Sequence, residues 1–376
     1  MLLLSFLILF AGVIYVALIL FFYQGWKKMG DFVSSEKREI GLSVIVPFRN
    51  EESNLGLILR ALQNQTYSKK FFEVIFINDH STDDSVAVIE SFPEEHFNMH
   101  LIHLNEGQFG KKAAIREGIK KAREDILLTL DSDCIPAGGW LETMASFYSK
   151  YRSKLVIGPV LMNKPGSFAT KLMDLEFASL AAVTAGSAGN GTPLMCNGAN
   201  LLFERKVVND ISDIYETSIP SGDDMFLLQE VKKQYREGIE YCKSRKAAVY
   251  AKPPETLPAF IHQRVRWTSK SKYYNDREIK GTALLVFIVN FLLAGSFVSS
   301  FFSLNGMILF LALFTMKSIA DYVLLHSFTR YFRLTGLLKL SNYLPAQILY
   351  PFYVVFVSIK SQAGYYWKGR YVKSLY

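Results

Sequence analysis

The chain has 376 residues, half of them hydrophobic, and a formal net charge of +8. The positive excess lies beside apolar segments, because no acidic residue follows Asp321 whereas seven lysines and arginines do. This distribution is typical of the cytosolic face of a membrane, and it argues against a nucleic-acid partner. The three cysteines have neither a paired nor a metal-binding spacing, which favours a reducing compartment.

Residues 1–23 are uncharged and apolar, and the run is long enough to span a bilayer. A cleavable signal peptide would instead need a basic leader and a small-residue cleavage site. Because the run begins without charge and is followed by Lys27 and Lys28, we interpret residues 1–26 as a transmembrane anchor. The two lysines predict that the following domain is cytosolic.

Residues 40–280 have the pattern of a soluble α/β domain, in which four apolar strand-like runs alternate with three helical stretches. This alternation predicts parallel β-α-β units in a sheet covered on both faces. The strands begin at Leu42, Phe72, His100 and Asp125, and the helices cover 52–63, 83–90 and 110–122. Polar clusters follow the strands, where such sheets bind their ligands.

The region 154–250 is mixed. Residues 155–162 and 199–203 are predicted strands, and Phe168–Val183 is an apolar stretch with helical period. Two interpretations of this helix remain open. It packs in the core, or it lies at the membrane surface close to an acceptor.

The C-terminal third is again apolar, without a charge from Gly281 to Met316. Asn305-Gly306 predicts a turn between two membrane spans. In the second span Lys317 and Asp321 are four residues apart and share a helix face. We interpret them as lying near the cytosolic end and reaching the membrane surface, rather than as a functional pair inside the membrane.

The last apolar run, Tyr343–Ile359, is short for a span and contains Pro345 and Pro351. If it crossed the membrane, the basic residues after it would lie outside, against the positive-inside rule. We therefore predict membrane segments over residues 281–360, with a basic cytosolic tail over 361–376.

Asp131-Ser132-Asp133 follows the fourth predicted strand. Side chains alternate along a strand, so both carboxylates are predicted to face the same way. Two carboxylates and a pair of phosphates make a hard oxygen shell for Mg²⁺ or Mn²⁺. Many loops contain this triplet, and its place at the end of a strand is what favours the metal interpretation.

Ser221-Gly222-Asp223-Asp224 opens a predicted helix over 225–233. Acidic residues in a first helical turn stabilise the helix, and one of these carboxylates could equally serve as a general base. Lys111 follows Gly110 at another helix start, where a lysine can either reach a bound phosphate or remain solvated.

The third motif is His262-Gln263-Arg264-Val265-Arg266-Trp267. Gln263, Arg266 and Trp267 share one helix face, where arginine can grip a diphosphate and tryptophan can stack on a sugar. A basic juxtamembrane helix would explain the charge, but not the glutamine and the tryptophan.

In their order and spacing these motifs resemble the family 2 inverting glycosyltransferases with the GT-A fold. The last motif corresponds to QxxRW, seen in membrane-embedded members such as polysaccharide synthases and ceramide glucosyltransferase. The resemblance implies an α/β fold: a GT-A-like mixed, mainly parallel sheet with flanking helices, plus N-terminal and C-terminal transmembrane helices. The matching segments are VIVPFRNEE, INDHSTDDS, GKKAAI, DSD, CNGANLLFER, GDDMFL and QRVRW.

The resemblance also implies roles for single residues. Asp224 would be the catalytic base, Asp133 the metal ligand, and Asp131 a contact to the ribose and phosphates. Asn78 and Asp223 depart from the family pattern, where Asp and Glu are common. The remaining donor-binding residues would be Pro47 and Glu51 beside the base or ribose, Asp79 on the base, usually uracil, Lys111 on phosphate, and Gln263, Arg266 and Trp267 on the diphosphate and acceptor side.

The expected function is inverting transfer of a sugar from a nucleotide-sugar donor, UDP-linked, to a lipid or lipid-linked acceptor. It would occur at the cytosolic face of a plasma or inner membrane, with Mg²⁺ or Mn²⁺ as cofactor. A processive polysaccharide synthase is the main alternative, although three or four spans are few for a polymer channel. A non-enzymatic membrane protein would be expected to lack intact carboxylate motifs, and a nucleotidyltransferase would not explain QRVRW before membrane spans.

Overall fold

The structure is a computed structural model that describes residues 2–34, 39–93, 96–162, 166–210, 222–363, 365–367 and 370–372. In chain order the helices are α1 Leu2–Lys28, α2 Glu52–Gln63, α3 Ser85–Glu90, α4 Lys111–Lys121, α5 Trp140–Tyr151, α6 Phe168–Gly189, α7 Arg205–Asp210, α8 Asp223–Gln234, α9 Leu257–Thr268, α10 Arg277–Ser299, α11 Leu304–Phe332 and α12 Leu340–Lys360.

The strands are short, and the longest have seven residues. In chain order they are β1 Leu42–Phe48, β2 Phe72–Asn78, β3 Asn98–His103, β4 Ile126–Thr129, β5 Cys134–Pro136, β6 Leu155–Ile157, β7 Val160–Met162, β8 Leu201–Glu204, β9 Ile239–Tyr241, β10 Val249–Ala251, β11 Tyr365–Trp367 and β12 Arg370–Val372.

The chain forms two compact units. The sheet unit comprises Met29–Asn163 and Met195–Lys252, and the helical unit comprises Met1–Lys28, Lys164–Leu194 and Pro253–Tyr376. The predicted boundaries at 26, 40, 280 and 360 remain predictions. α6 and α9, which fall inside the predicted 40–280 domain, group with the apolar helices.

The sheet unit is built on a seven-stranded sheet in the order β3-β2-β1-β4-β8-β6-β9. β3, β2, β1 and β4 are mutually parallel, whereas β8 runs antiparallel to both β4 and β6. All residues of β1 and β2 are buried, as expected for strands covered on both faces. The mixed, mainly parallel sheet with flanking helices is confirmed. A second, three-stranded sheet has the order β5-β10-β7.

Among the described residues of the helical unit, four helices are long and apolar enough to cross a membrane: α1, α10, α11 and α12. α6 packs against α1, α11 and α12, and its middle is buried, including Leu175 and Ala178. These contacts favour the core-packing interpretation of this helix. α1 and α6 cross closely, since a Cβ on Gly25 would lie 2.0 Å from the Gly186 carbonyl oxygen.

The loop predicted at Asn305-Gly306 lies elsewhere. α10 ends at Ser299, and residues 300–303 make the connection, so Asn305 and Gly306 belong to the first turn of α11. Ser303 begins that helix by accepting a hydrogen bond from the Gly306 amide at 3.0 Å. An asparagine-glycine pair can therefore start a helix when a serine cap precedes it.

Lys317 does not extend to the surface of the unit, and that interpretation is wrong. Its side chain is 1 % exposed, and its ammonium donates to Asp321 at 2.6 Å and to Gln347 at 2.9 Å. Tyr15 donates to the other Asp321 oxygen at 2.8 Å. The polar cluster thus joins α1, α11 and α12, because each of its buried charges needs partners that one helix alone does not supply.

Replacing Lys317 with methionine should destabilise the protein by about 3–5 kcal/mol, because it leaves the Asp321 carboxylate buried without its cation. Thermal unfolding in detergent measures the effect. The double variant Lys317→Met/Asp321→Leu should lose much less, since it removes both charges. A single variant as stable as the wild type would show that the pair does not hold these helices.

Candidate active site

Polar loops follow β1 and β2 at the carboxyl edge of the parallel strands. The second residue of each loop has a left-handed backbone, Asn50 with φ 53° and His80 with φ 56°. Asn50 Oδ1 accepts from the Thr82 amide at 2.8 Å, and the Asn50 amide donates to Ser81 Oγ at 3.0 Å. The two loops are therefore tied together at the edge where the donor site is predicted.

Pro47 and Glu51 lie on the β1 side of this edge. Pro47 is a buried residue of β1 and stands opposite Ile77 in the strand register. The Glu51 amide donates to Ser85 Oγ at 2.7 Å, and the Asn54 side chain donates to Glu51 Oε2 at 2.7 Å. These bonds orient the Glu51 carboxylate at the start of α2.

Asp79 is 4 % exposed, and both of its carboxylate oxygens face protein groups. Oδ2 accepts from the Gly110 amide at 3.0 Å, and Oδ1 lies 3.3 Å from His80 Nδ1. Its own amide donates to the Phe48 carbonyl oxygen at 2.9 Å. Asp79 thus links the loop after β2 to the start of α4, a role that requires no ligand.

Asn78 is one of the two departures from the family pattern, and its contacts supply a reason. Its Oδ1 accepts from the Ser81 amide at 2.8 Å, while its Nδ2 lies 3.1 Å from His103 Nδ1. An ionised aspartate can only accept hydrogen bonds, whereas the asparagine side chain can accept one and donate another. The side-chain amide of Asn78 therefore contacts both the loop after β2 and the neighbouring strand β3.

His80 and Phe109 form a ring pair beside Asp79 that the sequence analysis did not select. Their ring centroids are 4.7 Å apart with 35° between the planes, and Phe109 is 50 % exposed. Aromatic faces at such an edge suit a planar base. The available signal was an aromatic residue immediately before Gly110 and the first turn of α4.

Asp131-Ser132-Asp133 forms a turn rather than a strand end. β4 stops at Thr129, and the Cys134 amide donates to the Asp131 carbonyl oxygen at 3.0 Å across the turn. The expectation that the two carboxylates follow strand alternation is therefore wrong. They are still close enough for the charge of Asp131 to act on Asp133.

Lys111 occupies the centre of the acidic cluster. Its ammonium lies 2.5 Å from Asp131 Oδ1 and 4.0 Å from Asp223 Oδ2. Desolvation alone would lower the pKa of Lys111, but the carboxylates of Asp131, Asp223 and Asp224 outweigh it and raise that pKa. Lys111 is therefore a permanent cation at the start of α4, and the solvated interpretation is wrong.

Asp133 retains solvent access, yet desolvation by the surrounding protein raises its pKa, and the carboxylates of Asp131 and Glu51 raise it further. A hard divalent cation fits this site, because it would relieve repulsion among oxygen ligands of the kind that Mg²⁺ and Mn²⁺ prefer. Among the described residues, no group of three or more His, Cys, Asp or Glu side chains could hold a metal by itself. Donor phosphates or water would have to complete the shell.

Asp224 sits in the first turn of α8, after Gly222 with φ 92°. Its Oδ2 accepts from the Gly198 amide at 3.1 Å, and its Oδ1 accepts from the Met225 amide at 2.8 Å. A Cβ on Gly198 would lie 3.5 Å from Asp223 Oδ2 and 3.3 Å from Lys111 Nζ. These are an ordinary contact distance to the acid and a slightly tight one to the flexible end of Lys111, so they show that the Gly198 backbone lies against the acidic cluster. Ser221 of this motif lies outside the described residues.

Gln263, Arg266 and Trp267 lie on α9 of the helical unit, at the predicted spacing. Thr256 caps the helix by accepting from the Ala259 amide at 3.3 Å. The seven other predicted site residues all belong to the sheet unit. They are Pro47, Glu51, Asp79, Lys111, Asp131, Asp133 and Asp224.

Residues 43–212 match the sequence profile of glycosyl transferase family 2. This part of the chain is therefore similar to a family 2 glycosyltransferase domain. The matched region contains the loops that follow β1 and β2 and the turn Asp131-Ser132-Asp133 that follows β4. α8, which bears Asp224, and α9 follow the matched region.

Curated relatives show the same similarity. The glycosyltransferase AglE of Haloferax volcanii is 31% identical over 183 residues, which cover 48% of this chain and 58% of that protein. The poly-β-1,6-N-acetyl-D-glucosamine synthase of Staphylococcus epidermidis is 26% identical over 244 residues, covering 62% of this chain and 56% of that protein. The chain thus spans little more than half the length of these relatives.

Among solved structures, the mannosyltransferase PcManGT from Pyrobaculum calidifontis, in complex with GDP-Man and Mn²⁺, has the same fold. The TM-score is 0.58 at 15% identity, and the match covers 95% of this chain and 98% of that one.

Proposed function

We propose that the protein is a metal-dependent, inverting glycosyltransferase that moves a sugar from a nucleotide-sugar donor to a lipid or lipid-linked acceptor at a membrane. The observation that carries the proposal is the acidic cluster around Lys111. Asp131 and Asp133 lie in the turn after β4, Asp224 lies in the first turn of α8, and the Lys111 cation stands among these acids.

In this proposal the donor base stacks near His80 and Phe109, while Asp79 holds the loops that carry them. The ribose and phosphates face Asp131 and Lys111. The cation of Lys111 is suited to receive a diphosphate because it is fixed beside the helix start of α4. The resemblance supports UDP-linked donors, and the GDP-mannose bound by PcManGT makes GDP-linked sugars the second class to test.

Asp133 would hold the divalent cation, which supplies neutralisation of the departing diphosphate when bound. Asp224 accepts the proton of the acceptor hydroxyl, and that oxygen forms a bond to the anomeric carbon. The bond from this carbon to the diphosphate oxygen breaks, and its electron pair leaves with the nucleoside diphosphate. Attack from the opposite face inverts the anomeric centre without a covalent glycosyl-enzyme.

The acceptor is proposed as a lipid because four helices are long and apolar enough to place this unit in a bilayer. A processive polysaccharide synthase is the second candidate, since the poly-β-1,6-N-acetyl-D-glucosamine synthase of Staphylococcus epidermidis matches over 62% of the chain. The number of sugars added to one acceptor distinguishes the two.

The test is to incubate the purified protein and its native membranes with UDP- and GDP-linked sugars and identify the products by mass spectrometry. A lipid carrying one sugar supports the proposal, whereas a ladder of added sugars supports the synthase. If no donor is consumed in the presence of Mg²⁺ or Mn²⁺, the protein is not an active transferase, and the non-enzymatic alternative replaces it.

Arg266→Lys should reduce transfer nearly as much as Arg266→Ala, by about 100-fold. Lysine keeps the charge but lacks the planar fork that engages two phosphate oxygens. Initial rates at saturating donor measure the effect. A fully active lysine variant would show that simple charge suffices and that α9 is a basic juxtamembrane helix.

The C-terminus is predicted to face the cytosol. Lys360 and Arg370 are within the described residues, whereas Lys368 and Lys373 lie outside them. α12 continues through both of its prolines and is one of the four helices apolar enough to cross. The basic residues after it nevertheless favour a segment that stays on the cytosolic side. Because a continuous helix cannot enter the membrane and return, the interface position is the one of the two predicted alternatives that α12 can adopt.

Impermeant labelling of intact cells checks this orientation, with one cysteine placed in the tail of a cysteine-free variant. Ser300→Cys, in the connection between α10 and α11, serves as the matched control, because it should lie outside and react. The tail cysteine should react only after permeabilisation. Labelling of the tail in intact cells would mean that α12 crosses.

A further inference from the structure

Within the helical unit, α9 is anchored by a buried ion pair. Arg264 is 2 % exposed and Glu176 on α6 is 9 % exposed. The Arg264 Nε lies 3.0 Å from both Glu176 oxygens, and its Nη2 lies 2.5 Å from Oε2. Tyr353 on α12 donates to Glu176 Oε1 at 3.2 Å. The pair therefore fixes α9 against two other helices of the same unit.

The same guanidinium touches two of the three motif residues on α9. Its Nη1 donates to Gln263 Oε1. Its carbon lies 4.2 Å from the Trp267 ring centroid and 4.5 Å from the Phe260 ring centroid. Gln263 and Trp267 are one helical turn apart, and the guanidinium lies against both side chains.

Apolar side chains also pack α9 against α12, so the packing of this helix does not by itself require a buried charge. Val265 and Val357 form a buried contact between α9 and α12, flanked by Ile261 and Tyr353. A buried ion pair is commonly no more stabilising than well-packed apolar side chains of similar size. What the ion pair adds is a fixed orientation of the guanidinium. The planar group binds the carboxylate with one edge, and its other edge and its face contact neighbouring side chains.

We propose that Glu176 and Arg264 are positioning residues that hold the side chains of Gln263 and Trp267 in the orientation required for sugar transfer. Glu176 orients the guanidinium, and the guanidinium orients the amide of Gln263 and the ring of Trp267. Neither residue needs to touch the donor. This inference rests on the proposed function, because it assigns a purpose to the QRVRW motif.

Arg264→Lys and Glu176→Gln test the proposal, and Asp321→Asn is the matched control. The control also converts a carboxylate of a buried ion pair in the helical unit to an amide. The partners of Asp321 are Lys317 on α11 and Tyr15 on α1, neither of which belongs to α9. Each variant is purified in detergent, its folded fraction is measured, and kcat and the donor KM are determined per folded molecule.

We expect kcat to fall by about 10- to 100-fold in Arg264→Lys and Glu176→Gln, with a smaller change in donor KM, because misplaced groups weaken the transition state most. Asp321→Asn should lose thermal stability and keep its kcat. The charge-swapped double variant Glu176→Arg/Arg264→Glu should recover thermal stability relative to Arg264→Glu alone. It should remain slow, since the arginine no longer lies beside Gln263 and Trp267.

Recovery of kcat together with stability in the double variant would overturn the proposal, because the pair would then be only a structural tie. Unchanged kcat in both Arg264→Lys and Glu176→Gln would overturn it as well. Failure of the proposed function has a different signature: the wild-type protein itself would transfer no sugar. Arg266→Ala separates the two cases further, since its loss of activity shows that the motif takes part in transfer.

Discussion

Asp224→Asn should reduce sugar transfer by at least about 100-fold, because the variant cannot accept the proton of the acceptor hydroxyl. Donor binding should remain close to that of the wild type, since the proposed base acts on the acceptor. The asparagine is nearly isosteric, and its amide oxygen can keep one of the bonds from the Gly198 and Met225 amides. Initial rates and calorimetric titration with the nucleotide sugar measure the two quantities.

Asp223→Asn is the matched control for this prediction. Asp223 lies 4.0 Å from Lys111 and is 6 % exposed, so its loss should weaken the acidic cluster without removing the base. We expect a smaller loss of turnover together with a change in donor affinity. Substantial turnover in Asp224→Asn but not in Asp223→Asn would identify Asp223 as the base.

Asp133→Ala should lower transfer by about a thousandfold, because it removes the carboxylate proposed to hold the divalent cation. Chelation of the wild-type protein should have a similar effect, and added Mg²⁺ or Mn²⁺ should restore only the wild type. Binding of the metal itself provides a second measurement. Removing the Asp133 charge should lower the affinity for Mn²⁺ measured without any donor.

Asp125→Ala controls for loss of a negative charge near the same strand. This carboxylate is 91 % exposed and precedes β4 at the end opposite the acidic turn. It should leave both transfer and Mn²⁺ binding unchanged. Full activity of Asp133→Ala in the presence of chelator would remove the metal from the mechanism.

The outline of the sheet unit could be predicted because it follows from short-range patterns. β1 and β2 are continuous apolar runs, and α2 was located at its observed bounds, Glu52–Gln63, from helical spacing. Strand and helix periods depend on backbone geometry within a few residues, so a sequence window contains them. The same argument located the polar loops that end these strands, and with them most of the proposed site.

Contacts between distant residues were outside the reach of such windows. In the sequence Lys111 could not be distinguished from a solvated lysine, and only the structure shows its contact with Asp131. Arg264 likewise had no predicted role, because its partner Glu176 lies 88 residues earlier in the chain. Lys317 was misjudged for the same reason, since its burial depends on Gln347 from another helix.

By itself the sequence determined the α/β class, the acidic and basic motifs and the apolar segments, because each of these depends on residues that are close together along the chain. Only the tertiary structure decided which charges are paired. The free energy of a charge depends on its surroundings in three dimensions, and burial makes a lysine or an arginine tolerable only where distant parts of the chain supply its partners.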